Sequence, residues 1–269
     1  MIICFWNVNK NKSLDNLILE LVQENKIDIL ALAEYDNDTE QLCKLLDQRE
    51  TRYKPLQCIG CDKIKGIYNS KYTQKPLKAT SRYIISTFST VYSKLLLGAI
   101  HGPAMPRKSD DDRRQYYSIY IHDIEQAESE SGINNTILIG DFNSSPFDGS
   151  IVRAGAIHAI PHKEEASKNS RIVDGHNYKT FYNPTWKLLA LDKPPYGTYY
   201  YNNSNYENYY WYLFDQVIVR PGLINSFQED SLRIITEIND KSLLKNDYSP
   251  DIAYSDHLPI IFEIQEEKL

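Results

Sequence analysis

The residues in this chain best suited to chemistry stand at the ends of apolar runs. Gly140-Asp141-Phe142-Asn143 follows the run Thr136 to Ile139, Asp215 lies within Phe214 to Val219, and Ser255-Asp256-His257-Leu258-Pro259 leads into Leu258 to Ile264. Asn7, Asn9, Glu34 and His101 stand at the ends of similar runs further upstream. Runs of this length read as buried strands, and strands end at a sheet edge, where polar groups can gather into a site. A hard divalent ion such as Mg²⁺ takes oxygen ligands and keeps several waters, so Glu34 and Asp256 are sufficient donors together with a substrate phosphate. Cleaving a phosphodiester also needs a positioned water and donors facing the phosphoryl oxygens. Asp141, Asn143, His101 and His257 are of those chemical types. An aspartate beside a histidine fixes its tautomer and favours the imidazolium, a role Asp215 can take for His257. Taken singly, Asp141 after Gly140 is also ordinary turn chemistry; the joint pattern argues for more.

The elements that must position these groups begin with the strand Ile2 to Asn7. Ser13 is then expected to cap a helix carrying Leu14, Leu17, Ile18, Leu21 and Val22 at helical spacing. A second strand spans Ile27 to Ala33, and Thr39 starts a helix with Leu42, Leu45 and Leu46 inward. Tyr53 to Ile59, Ile64 to Tyr68, Tyr83 to Phe88 and Leu95 to Ile100 lack helical spacing and suggest hairpins. Ser109 and Asp110-Asp111-Asp112 suit a helix N-terminus, with Tyr117, Tyr120, Ile121 and Ile124 continuing the period. Strands alternating with helices, then hairpins, then strands again indicate an α/β protein with mixed sheets.

Composition limits the alternatives. The 269 residues are 42% hydrophobic and 12% aromatic, enough for a large core, and no Pro/Gly/Ser-rich linker divides them, so one domain over 1–269 is expected. The net charge of −6 argues against holding nucleic acid by bulk electrostatics, while leaving room for a local basic groove. Four cysteines, a start without a basic or long apolar leader, and no apolar stretch near the ~20 residues of a membrane helix suggest a cytoplasmic protein without membrane insertion. Cys58-Ile59-Gly60-Cys61 has half the spacing of a zinc site but no second pair, and reads as loop cysteines.

The motifs Phe5-Trp6-Asn7-Val8-Asn9, Ala33-Glu34-Tyr35, Ala99-Ile100-His101-Gly102-Pro103, Gly140-Asp141-Phe142-Asn143-Ser144, Phe214-Asp215-Gln216-Val217 and Ser255-Asp256-His257-Leu258-Pro259 together resemble the endonuclease/exonuclease/phosphatase superfamily, the DNase I-like proteins, across nearly the whole chain. The resemblance implies a four-layer α/β sandwich of two mixed β-sheets flanked by helices, with a Mg²⁺ site (Mn²⁺ as substitute) at one edge. It implies Glu34 as principal metal ligand, helped by Asn9 or Asp256, with Asn7 nearby. Asp141 would orient or deprotonate water, Asn143 would bond the water or the phosphate, and His101 and the His257–Asp215 pair would face the phosphate. Ser144-Ser145-Pro146 and Gln216 depart from inositol 5-phosphatases. Ser81-Arg82-Tyr83 resembles a pancreatic-type Glu-Arg-Tyr but lacks the carboxylate that supports the first histidine.

Two features bear on substrate. Tyr196 to Tyr212 holds eight tyrosines and Trp211, of which Tyr199, Tyr201 and Trp211 are candidates for stacking on bases. Arg107 and Arg113 are candidates for flanking phosphates, although Asp110 to Asp112 dilute that patch. The expectation is a metal-dependent nuclease acting on DNA or RNA, with no protein partner called for. A small-molecule or lipid-headgroup phosphatase and a non-catalytic binding module using the tyrosine-rich surface are the alternatives.

Overall fold

The computed structural model describes residues 1–47, 52–104, 109–202, 204, 206 and 208–266. In chain order the elements are β1 (Ile2–Asn7), α1 (Asp15–Glu24), β2 (Ile29–Ala33), α2 (Thr39–Asp47), β3 (Tyr53–Pro55), β4 (Ile64–Asn69), β5 (Thr73–Ala79), β6 (Tyr83–Ser89) and β7 (Lys94–His101). There follow α3 (Asp110–Ser131), β8 (Thr136–Asp141), α4 (Gly149–Val152), β9 (Ala159–Ile160), α5 (Lys163–Ala166), β10 (Ser170–Val173), β11 (His176–Lys179) and β12 (Phe181–Tyr182). The last are β13 (Tyr199–Tyr200), β14 (Trp211–Tyr212), β15 (Asp215–Val219), β16 (Phe227–Ile234), β17 (Glu237–Ile238), β18 (Lys241–Ser242) and β19 (Ile260–Ile264).

Two mixed sheets result, ordered β16-β19-β1-β2-β4-β3 and β5-β6-β7-β8-β15-β12-β9. Their central strands are apolar on both faces because each is covered twice. In β1, Ile3 and Phe5 enter the core between the sheets, while Cys4 and Trp6 join Leu17, Ile18 and Leu21 of α1. In β8, Ile137 and Ile139 face the other sheet, and Leu138 meets Tyr117, Tyr120 and Ile124 of α3. This period-two division between cores produces the helix–sheet–sheet–helix layering that the family resemblance implied.

Several local expectations change. Leu14, not Ser13, is the N-cap of α1, and Ser13 donates its hydroxyl to Asn11 Oδ1 at 2.7 Å. Leu45 is only half-buried, whereas Leu42 and Leu46 are fully covered. The edge strand β5 carries Pro76 and an exposed face, so it lacks the apolar run that marks its neighbours. Ser109 does cap α3, in a capping box with Asp112. Among the described residues no helix is long and apolar enough to cross a membrane.

Candidate active site

Register across the second sheet brings three groups into line. His101 at the end of parallel β7 lies beside Asp141 at the end of β8, and Asp141 faces Asp215 at the start of antiparallel β15. From the first sheet, Asn7 ends β1 beside Ala33, and Glu34 follows directly. Asn7 crosses the sandwich, donating its Nδ2 to Asp141 Oδ2 at 3.1 Å. His257 comes from the loop before β19, where Trp6 Nε1 donates to its carbonyl at 2.9 Å. Ser255 Oγ donates to Asn7 O at 2.7 Å and accepts the His257 N–H. Both sheets and the last loop therefore converge on Asp141.

Asp141 is almost fully buried, and its other oxygen accepts the Asn143 N–H at 2.8 Å. Asn143, in the left-handed region at φ 46°, turns back to donate its side chain to Gly102 O at 3.2 Å. Gly102 is pressed so close that a Cβ there would meet Phe142 O at 2.7 Å. His101 Nε2 stands 3.6 Å and His257 Nε2 3.9 Å from Asp141 Oδ2. Burial pushes the Asp141 carboxyl up, and Asp215 adds to the effect while the two histidines oppose it. A carboxylate so placed is disposed to accept a proton.

The two histidines differ. His257 is buried, which works against its charge, but Asp215 Oδ2 at 2.7 Å from its Nδ1, with Asp141 and Asp256 behind, outweighs burial and raises its pKa to about 10. Its imidazolium separates two carboxylates that would otherwise oppose each other across β8 and β15. His101 has no such support. Its Nδ1 is buried without a hydrogen-bond partner among the described residues, and burial lowers its pKa despite the attraction of Asp141. An unsatisfied buried polar atom costs about 1–3 kcal/mol.

Glu34 carries a left-handed φ of 53° and is largely covered. Its carboxylate lies 3.6 Å from His101 Nε2 and 4.0 Å from the ammonium groups of Lys10 and Lys63, beyond hydrogen-bonding reach of all three. A hard oxygen donor held in strained backbone without a close donor of its own fits a divalent cation. Asp256, half-buried beside His257, is a second oxygen donor of the right kind. Asn9 is exposed and donates its N–H to Asn7 Oδ1 at 3.1 Å. Among the described residues, the carboxylate and histidine atoms that cluster within 4.8 Å of one another are instead those of Asp141, Asp215 and His257. There the short His257–Asp215 hydrogen bond already uses the imidazole Nδ1 and one Asp215 oxygen.

The tyrosine-rich stretch forms the β13–β14 hairpin. Tyr199 bridges His257 along the backbone, and its ring centroid lies 4.7 Å from the imidazole. Tyr201 stacks outward on Tyr199 at 6.3 Å and is 50% exposed. Trp211 pairs with Tyr200 on the other face and packs against the core cluster that holds Trp6 and Leu258. Thr198, not anticipated, accepts both the Leu258 N–H at its carbonyl and the Asp215 N–H at its hydroxyl, tying the strands that carry the His257–Asp215 pair. No apolar run marks it in the sequence. Arg107 falls outside the described residues. Arg113 is turned inward and 4% exposed, donating to Asn143 O and Ser144 Oγ and pairing with Asp110. It braces the Asn143 loop and presents no free guanidinium to a phosphate. Its place seven residues before Tyr120 and four before Tyr117, on the buried face of α3, is a signal that could have placed it.

The profile of the Endonuclease/Exonuclease/phosphatase family matches residues 4–257. No curated protein sequence matches the chain. Among solved structures, D. rerio TDP2 complexed with a single-strand DNA product is 15% identical, covering 97% of each chain with a TM-score of 0.56. The 3′ phosphatase NExo from Neisseria, bound to a product DNA hairpin, is 14% identical over 98% of this chain and 99% of its own, with a TM-score of 0.57. The human Nocturnin catalytic domain with bound sulfate is 13% identical over 98% and 93%, also at 0.57.

Proposed function

This chain belongs to the Endonuclease/Exonuclease/phosphatase family, and on that premise we propose that residues 1–269 form a single metal-dependent hydrolase that cleaves phosphoester bonds in nucleic acid. The observation that carries the reading is Asp141, set between a charged and an uncharged imidazole at 3.9 and 3.6 Å. Asp141 takes the proton of a water that attacks phosphorus, held in place by Asn7 and by the Asn143 N–H. The His257 imidazolium, anchored by Asp215, directs its Nε2 proton at the phosphoryl group as the bond to the leaving oxygen breaks. His101 offers Nε2 to the same phosphoryl group in its neutral form. Glu34, with Asp256 or Asn9, holds a divalent cation, Mg²⁺ or Mn²⁺, which when bound supplies Lewis-acid charge to a phosphoryl oxygen. Tyr199 backs His257, and the exposed Tyr201 ring offers a platform for an unstacked base. That platform, together with the DNA-bound state of two solved relatives, favours a nucleic acid over a lipid headgroup.

Turnover of plasmid, single-stranded DNA, RNA, a 3′-phosphorylated oligonucleotide and a small bis-aryl phosphodiester, with Mg²⁺ or EDTA, tests the proposal. Metal-dependent cleavage of a nucleic-acid substrate that disappears in Asp141→Asn is expected. Folded protein that turns over none of them would overturn it.

A further inference from the structure

Several lysines in this acidic chain bond carboxylates tightly. The ammonium groups of Lys71, Lys78, Lys163 and Lys241 reach carboxylates at 2.7, 2.6, 2.9 and 2.6 Å. Lys10 and Lys63 differ. Each stops 4.0 Å from a separate oxygen of Glu34, and neither ammonium donates a hydrogen bond to a described residue. The backbone nevertheless brings both to that carboxylate. The Lys10 N–H donates to Glu34 O at 3.0 Å, the Glu34 N–H donates to Lys63 O at 3.2 Å, and Lys63 N–H is tied to Ser81 O at 3.2 Å. Lys10 adopts φ 58° to do so. An ion pair this long and this exposed is worth little and does not offset a left-handed backbone. Each ammonium keeps its three donors for something else.

The lysines border the reacting centre through Glu34: Asp141 Oδ2 and Glu34 Oε1 each lie 3.6 Å from His101 Nε2, Lys63 Nζ is 4.0 Å from the same Oε1, and Lys10 Nζ is 4.0 Å from Oε2. We propose that Lys10 and Lys63 form a cationic subsite for a second phosphate of the substrate, one position along from the phosphate that is cleaved. The proposal rests on the hydrolase reading above. It places the substrate among esters with at least two phosphates, with a base-stacking surface at Tyr201 on one side of the scissile bond and a point-charge phosphate site on the other.

Two probes sharing one scissile bond test it: the p-nitrophenyl ester of thymidine 5′-phosphate, with either a free 3′-hydroxyl or a 3′-phosphate, given to the full chain with Mg²⁺. In Lys10→Ala/Lys63→Ala, KM for the 3′-phosphorylated probe should rise about tenfold or more with kcat retained, while KM for the other probe stays within about twofold. Both side chains are partly solvent-exposed, so the variant should fold. A second readout needs no turnover. Binding of a single-stranded oligonucleotide to Asp141→Asn protein in EDTA, followed by anisotropy, should lose about 0.7 of salt slope for each lysine removed. Equal KM changes on both probes, or an unchanged salt slope, would overturn the subsite. If wild-type protein hydrolyses neither probe, the substrate panel above decides the hydrolase reading, and the salt slope alone decides the subsite.

Discussion

The imidazole of His257 is braced on several sides, while the half of the site built on His101 and Glu34 is held more openly. Around His257, Asp215, Trp6, Ser255, Thr198 and Tyr199 each make a defined contact, and the imidazole is held charged. Around His101, among the described residues, Nδ1 has no partner and Glu34 has no close donor, and the ring is held neutral. Asp141 belongs to both halves. The difference teaches that two like residues in one site acquire opposite protonation states from their surroundings.

The strongest way to break the comparison is Asp141→Asn, which removes the group shared by both halves. Turnover should fall by about 10⁴-fold at unchanged fold, measured by single-turnover kinetics with circular dichroism as control. A smaller loss of about 10³-fold is expected in Asp215→Asn, and it should be asymmetric. Without Asp215, burial dominates, so His257 titrates well below its present value of about 10 and the alkaline limb of kcat/KM moves to lower pH. The sign also reaches stability. The folded His257 pKa lies above the unfolded value, so its contribution is complete below pH ~6.5 and is lost as pH rises through about 10 in the wild type. An alkaline limb that does not move would refute the charged state of this half. Glu34→Gln should abolish Mn²⁺ binding by calorimetry while leaving that limb in place, since Glu34 touches only the open half; a retained heat of binding would send the cation to the Asp141–Asp215–His257 cluster instead. Replacing His101 by Asn should cost about 10²-fold and alter only the acid limb, because its neutral form is the one the site favours. The smallest effect, about tenfold in KM for single strands with small substrates spared, is expected from Tyr201→Ala.

Most of this division was legible from residue types at strand ends. Asp141, Asp215 and His257 follow or open apolar runs, and register alone aligns His101, Asp141 and Asp215. Helix α3 was equally clear, because Ser109 and the Asp110–Asp112 run suit a helix N-terminus and Tyr117, Tyr120 and Ile124 follow at helical spacing. What stayed hidden depends on contacts between distant segments. Thr198 and Tyr199 clamp the His257 half through two-residue strands too short for any period to register. The burial of Arg113 was masked by its charge. The Lys10–Glu34–Lys63 ladder exists only after β1, β2 and β4 are side by side.

Gly102 carries a consequence for variation among relatives. The Phe142 carbonyl and the Tyr117 hydroxyl bonded to it leave no room for a side chain at that position, and Asn143 closes back on the Gly102 carbonyl. The segments bearing His101 and Asp141 are thus fastened face to face with no spacer. Any lineage that gains a side chain at Gly102 must reshape the Phe142 turn and Tyr117 in the same interval, so positions 102, 117, 142 and 143 should change as a block or not at all.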